Sequence, residues 1–472
     1  MPSVFSKLYY YIIAPDWNLP YNCYETGHTW TPYCSLAAFH ISRDVIKESL
    51  KIYSSLYIAS HLAFSRKYDR HAIVQLLKSI LTSTAFLGFN AYAMFLIFCL
   101  TTKLFGKMYY GTIVYIPAFV ASMMAIFIER PSRRGALAVY CANIASECLF
   151  NIAVKRKYFK PIPKGETVLF MASMSLLLYI IRKNGFGKDP ISFAMKLILG
   201  RSEAKRSQRS VNRSAAALVD CDSKLLNKSN VVEMSTIEVN NVSLKEVMHL
   251  KHITCLHARE SCLKYSFRGF LRPFLFAWVG QSLFQTLIKF DRFLKDPNII
   301  FRALRNQKNI NFGLFMGTFS GAFKLINCAL RWYQNESNDW HAFVAAMIAG
   351  SSMLISRSST IATYVAWKCI ETLYCMAIKR GFALYPTATI AFVYAASVNV
   401  IFYTGVMMPN CLRLSYFKFI DRVSNHKLHF FNRSLLQVFE PEAVHGYEEF
   451  IPDLSPAHCS RKFLESVFVW MI

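Results

Sequence analysis

The chain has 472 residues, 54% of them hydrophobic and 15% aromatic, and only 17% are charged, where a soluble domain carries about 25% charged residues. Its charge is lopsided: 54 Lys+Arg stand against 28 Asp+Glu, a formal net charge of +26. Disorder, collagen and coiled coil are excluded and a soluble enzyme is disfavoured; a nucleic-acid binder would spread its basic residues over a polar surface, whereas here they cluster between long apolar runs, as in membrane loops.

From the N-terminus onward, no targeting signal stands out. Lys7 alone precedes the apolar stretch Leu8 to Ala14, and no arginine occurs before Arg43, so insertion is expected to rest on internal segments. The thirteen cysteines are an odd number and many lie inside apolar runs, among them Cys99, Cys141, Cys148, Cys328, Cys369 and Cys375. This favours buried free thiols facing a reducing compartment over a disulfide framework.

A spanning helix needs about 20 mostly apolar residues. No charge occurs between Lys78 and Lys103, between Lys107 and Glu129, or between Arg380 and Arg413, and these stretches qualify directly. An internal repeat places the others. The segment AFVASMMA from Ala118 to Ala125 returns as AFVAAMIA from Ala342 to Ala349, and at the same offset Arg133 falls on Arg357, Tyr140 on Tyr364, Glu147 on Glu371 and Lys155-Arg156 on Lys379-Arg380. With a one-residue shift Pro163 falls on Pro386 and Ser192 on Ser415. Such long-period similarity marks a duplicated unit.

The expected fold is therefore all-α and polytopic, two tandem parallel repeats of about four spans each. The spans fall near 80–100, 112–128, 136–154 and 166–182, then near 310–330, 340–355, 359–378 and 387–406. A lead-in helix precedes each set, at 45–64 (amphipathic) and 270–288 (more apolar), and whether either crosses the bilayer is left open. The domains run 1–64 (cysteine-containing segment and lead-in), 65–200 (first repeat), 201–251 (polar basic linker), 252–425 (second repeat) and 426–472 (tail). Even parity puts both termini and the linker on one side, and the basic loops there predict that this side is cytosolic. The sequons at Asn212, Asn227 and Asn241 in the linker should then stay unglycosylated; a mass shift of the native protein on glycosidase treatment would reverse the orientation.

Within the apolar runs, Gly313, Gly317 and Gly321 recur every four residues and line one helix face, which lets a neighbouring backbone approach closely. Helix packing is the first reading and a pore wall the second. Glu147 and Glu371 occupy equivalent mid-helix positions. An intramembrane carboxylate points to a relay or substrate contact unless an ion pair neutralises it, as Lys368 could for Glu371. Cys23, His28, Cys34 and His40 have the ligand types of a zinc site. Their spacing is not the short Cys-x2-Cys knuckle and His40 falls at a helix start, so no metal or cofactor is assigned and Cys23, His28 and Cys34 stay as candidates only. No phosphate loop, nucleophile elbow, paired-His zinc motif or kinase signature occurs, and no catalytic residue is assigned.

The run Asn22-Cys-Tyr-Glu-Thr-Gly-His-Thr-Trp30 with Cys34, the segment Glu48 to Tyr53, the block Glu129-Arg-Pro-Ser-Arg-Arg-Gly135 with Tyr140, Asn143 and Glu147, and the tail Phe450-Ile-Pro-Asp-Leu454 resemble the transmembrane protein 135 family over about residues 21 to 454. The second half is also distantly similar to the channel-forming family of mitochondrial inner-membrane protein translocases through Phe323, Ala345 and Gly350. It departs from that signature at Gln334, Asn338 and Ala346.

The closer resemblance implies a non-enzymatic membrane protein of peroxisomes and mitochondria, tied to lipid and fatty-acid metabolism, peroxisome organisation and mitochondrial fission through a dynamin-related GTPase. Its expected partners are the lipid bilayer, that fission machinery and further copies of itself, with no nucleic acid. A transporter or channel using Glu147 and Glu371 is the alternative, and a membrane-embedded lipid-modifying enzyme a third.

Overall fold

The computed structural model describes residues 18–64, 69–185, 195–196, 200, 255, 257, 261–288, 296, 298–382 and 386–471. Linker 201–251, with its three sequons, lies outside the described residues. The fold is all-α: the only strands among the described residues are β1 (Asn18–Leu19) and β2 (Met108–Tyr109), which pair antiparallel.

In chain order the helices begin with α1 (Cys23–Thr26), α2 (Cys34–Phe64), α3 (Arg70–Phe105) and α4 (Ile116–Ala125, entered through a π-helical turn Gly111–Tyr115). α5 (Pro131–Lys155) and α6 (Gly165–Asn184) complete the first half. The second contains α7 (Cys262–Ile288), α8 (Ile299–Leu304), α9 (Gln307–Gln334), α10 (Trp340–Ala349, continued by a 3-10 turn Gly350–Leu354), α11 (Ser359–Lys379) and α12 (Pro386–Met407). α13 (Leu414–Val423) follows, and α14 (Arg433–Leu436) and α15 (Arg461–Met471) lie in the tail. Local chemistry sets several boundaries. Gly106 ends α3 in the left-handed region at φ 65°, where a residue without Cβ pays no steric cost; Pro131, whose missing N–H is harmless in a first turn, opens α5.

Each of the eight expected spans falls on a helix. Among the described residues five helices are long and apolar enough to cross a bilayer: Arg70–Phe105, Pro131–Lys155, Gly165–Asn184, Gln307–Gln334 and Thr387–Met407. Two further segments, Gly111–Ala125 and Trp340–Leu354, are shorter apolar helices, and α11 (Ser359–Lys379), where another span was expected, is not among the candidate spans. Fifteen residues rise only about 22 Å, short of a hydrocarbon core of about 30 Å, so the parity from which the orientation was read does not extend through them. The lead-ins 45–64 and 270–288 fall inside α2 and α7, which are not among these candidate spans.

The chain divides into two compact units that do not follow its halves: unit 1 holds residues 1–161 and 374–472, unit 2 residues 162–373. In unit 1, α3 packs along α2 and α4, and α12, from the second half, seats on α4 and α5. In unit 2, α9 packs along α7 and α10, and α6, from the first half, seats on α10. The last span of each half thus completes the other half's unit.

The repeated alanine segments are the seats. Ala118, Ala121 and Ala125 on α4, and Ala391 and Ala395 on α12, are all buried, so two helices with small side chains approach closely. On α10, Ala342, Ala345, Ala346 and Ala349 are buried in one apolar cluster with Phe170 and Met174 of α6 and Phe315, Phe319 and Phe323 of α9. The offset is kept by the helix bounds: α4 and α10 start and end 224 residues apart (116 to 340, 125 to 349), as do the ends of α5 and α11 (155 to 379).

The tail folds onto unit 1. Arg433, 2% exposed, donates to the carbonyls of Val406 at 2.6 Å and Gly405 at 3.1 Å, which belong to the last turn of α12, and its guanidinium lies 4.1 Å from the Tyr447 ring centroid. Burial lowers its pKa to about 10, still cationic at neutral pH, as a helix C-terminus prefers. Arg433→Ala should lower the unfolding midpoint of the detergent-solubilised protein by several degrees, through a cavity and two orphaned carbonyls together costing roughly 2–4 kcal/mol. An unchanged midpoint would contradict this capping role.

Candidate metal centre and buried charges

Asn22 and Glu25 form a capping box at α1: the Asn22 side chain accepts from Glu25 N at 2.9 Å and the Glu25 carboxylate accepts from Asn22 N at 2.7 Å. This turn fixes Cys23 at the first position of α1, and the chain then loops through His28 and Thr31 to Cys34, the first residue of α2.

The four ligand atoms of Cys23, His28, Cys34 and Cys99 all lie within 4.8 Å of one another, with the Cys23 and Cys34 sulfurs 3.3 Å apart. Three of these were candidates from sequence. Cys99, from the last two turns of α3, was read only as a buried thiol. His40 stands on α2 outside the group.

His28 is fully buried. Its Nδ1 lies 2.8 Å from the Thr31 carbonyl, a contact that places a proton on Nδ1, while Nε2 has no nitrogen or oxygen partner among the described residues. That is the arrangement by which a backbone carbonyl orients a metal-binding imidazole. Burial alone would lower the His28 pKa, but hydrogen bonds with Cys23 and Cys34 overcome it and raise it to about 10. Hydrogen bonds from Cys23, Cys99 and His28 hold the Cys34 thiol far below its ordinary value. Cys34 therefore carries thiolate character that a cation can satisfy. Glu25, though buried, is no ligand here: it is taken up by Asn22, Ser460 N and Ser460 Oγ.

Gly313, Gly317 and Gly321 face α7. A Cβ on Gly313 would stand 2.9 Å from Trp278 Cβ, one on Gly317 2.9 Å from both the Phe270 carbonyl and Phe274 Cβ, and one on Gly321 3.0 Å from Phe270 Cβ. Phe270, Phe274 and Trp278 also recur every four residues, so an aromatic ridge lies in a glycine groove.

Both candidate glutamates have cations. Glu147 pairs bidentately with Arg413, which follows α12, and Glu371 accepts from Lys368 Nζ at 2.6 Å. A third acid, read in the sequence only as part of a motif, is more deeply placed. The Glu129 side chain is fully buried and accepts from Ser83 Oγ at 2.8 Å, Arg130 N at 2.9 Å and Arg133 Nη1 at 3.3 Å. Arg130 and Arg133 both lie against the Tyr57 ring, 5.4 and 5.2 Å from its centroid.

Unit 1 also holds an apolar cavity of about 210 Å³ between α2, α3, α5, α12 and α13, lined by Phe86, Met94, Val398, Phe419 and others, with Asn90 and Tyr394 among its few polar groups.

No solved structure matches this chain, and the distant translocase similarity rests on the residues quoted above alone. Residues 20–154 match the N-terminal cysteine-rich region of Transmembrane protein 135. That region contains all four residues of the thiol–imidazole cluster and the whole Glu129 network; over these residues the chain is similar to the transmembrane protein 135 family, and its long apolar helices are those of a multi-pass membrane protein.

Proposed function

We propose that this protein is a non-enzymatic component of peroxisomal and mitochondrial membranes that regulates mitochondrial fission, peroxisome organisation and fatty-acid homeostasis, acting on a dynamin-related GTPase through its polar linker and tails. The match of residues 20–154 to the N-terminal cysteine-rich region of Transmembrane protein 135 supports this reading. It is supported by the ion pairing of Glu147 and Glu371, which suits helix assembly better than a relay that must exchange protons. The test is fractionation of cells expressing the tagged chain, followed by purification from the organelle membranes. Co-purification of the dynamin-related GTPase, lost on deleting residues 201–251, is the expected result; its absence from purified material of both organelles would count against the reading.

The apolar cavity favours a second reading, a carrier for a lipid or another apolar solute. Liposomes holding the purified protein should then take up fatty-acyl or sterol probes, and flux abolished by Glu147→Gln or Glu371→Gln would displace the regulator reading.

A further inference from the structure

The thiol–imidazole cluster of unit 1 has a counterpart in unit 2. The ligand atoms of Cys255, His257, Cys262 and Cys328 likewise all lie within 4.8 Å of one another. The Cys255 and Cys262 sulfurs are 3.8 Å apart, and Cys328 Sγ is 3.5 Å from His257 Nε2. Cys328 is 3% exposed, His257 6% and Cys262 7%. The His257 ring stacks on Tyr265 with centroids 4.7 Å apart, which fixes its plane.

The two clusters are the same device by position as well as composition. Cys34 and Cys262 are each the first residue of a lead-in helix, α2 and α7. The fourth ligand comes from the long span packed along that helix, Cys99 on α3 and Cys328 on α9, 65 residues after Cys34 in one case and 66 after Cys262 in the other. A histidine precedes the helix by six residues (His28) or five (His257), and a third cysteine stands upstream of it (Cys23, Cys255). Two Cys3His sets at matching places in two units are hard to obtain from cysteines scattered through apolar helices.

We propose that these are two equivalent tetrahedral centres for a thiophilic divalent ion of the zinc class, one in each unit, each tying the start of a lead-in helix to the span packed along it. Three thiolates and one imidazole are a closed structural donor set with no position left for a substrate. An ion about 2.3 Å from each sulfur places tetrahedral ligand atoms about 3.8 Å apart, within the spread both clusters already have. None of the twelve described cysteines is in a disulfide, so the thiols are available. The inference is independent of the fission reading.

The test is metal analysis of the full-length protein purified in detergent, with zinc as the probe and cobalt(II) exchanged into the same protein. The wild type should carry two zinc ions per chain and, with cobalt, show thiolate-to-cobalt charge transfer and the intense visible bands of tetrahedral cobalt. Cys99→Ser and Cys328→Ser should each leave one ion, the double variant none, and Cys148→Ser, a buried cysteine outside both clusters, should leave two. If Cys148→Ser also loses metal, the serine variants report folding and the wild-type cobalt spectrum decides. Wild-type protein that neither holds zinc nor takes up cobalt overturns the proposal. So does a Cys23–Cys34 or Cys255–Cys262 disulfide in material alkylated without reduction. One ion per chain overturns it for the cluster whose variant leaves the content unchanged.

Discussion

Gly317→Leu should separate α9 from α7 and remove most of the folded protein from the membrane fraction. The added Cβ alone would meet the Phe270 carbonyl and Phe274 Cβ at 2.9 Å, and neither can swing aside as the end of a long side chain could. Overpacking costs about 1–3 kcal/mol where side chains can yield, and a backbone contact in the centre of the groove puts this site at the upper end or beyond. Gly280→Ala on α7 is the contrast. Nothing among the described residues lies within 4 Å of its added Cβ, and alanine is the better helix former by roughly 1 kcal/mol, so abundance and unfolding midpoint should hold or rise. Equal behaviour of the two variants in size-exclusion profile and midpoint would show that no tight groove exists.

Glu129→Ala should be nearly as damaging. The carboxylate is fully buried with Ser83, Arg130 N and Arg133 as donors, and its loss leaves two part-buried guanidiniums without their counter-charge. Removing one partner of a buried pair costs about 3–5 kcal/mol, and the exposure of Arg130 and Arg133, 34% and 26%, places the expected effect near the lower figure. The signature is coupling: Arg133→Ala combined with Glu129→Ala should cost clearly less than the two alone. Additive losses would mean that the pair makes no net contribution.

What could be read from the sequence follows from which signals are local. Uncharged runs located three of the eight helices directly, because hydropathy and length act within one segment, and the internal repeat placed the others. The four-residue glycine period named the face of α9, but its partner, the Phe270, Phe274 and Trp278 ridge, needed the structure. Cys23, His28 and Cys34 were visible as ligand types within twelve residues. Cys99 was hidden because a cysteine in an apolar span is more often plain core; the matched spacings of Cys34 to Cys99 and Cys262 to Cys328 were the signal that could have found it. Glu129 was seen as part of a family block, but its burial depends on Ser83 and Tyr57 from other helices. The exchange of α6 and α12 left no trace in hydropathy. Neighbouring spans usually pack together, and only the contacts of the alanine seats reveal the crossing.

That exchange is the central claim about the architecture, and a disulfide tests it directly. An ideal Cβ on Gly350 lies 3.4 Å from Met171 Cβ, close to the separation a disulfide requires, about 3.5–4.5 Å, and the two positions belong to different halves of the chain. Met171→Cys with Gly350→Cys, in a protein carrying a site-specific protease sequence inserted between residues 201 and 251, should after mild oxidation and cleavage run as one band on a non-reducing gel and as two after reduction. Each single variant should give two bands in both lanes. Two bands from the oxidised double variant would place α6 with its own half and contradict the account.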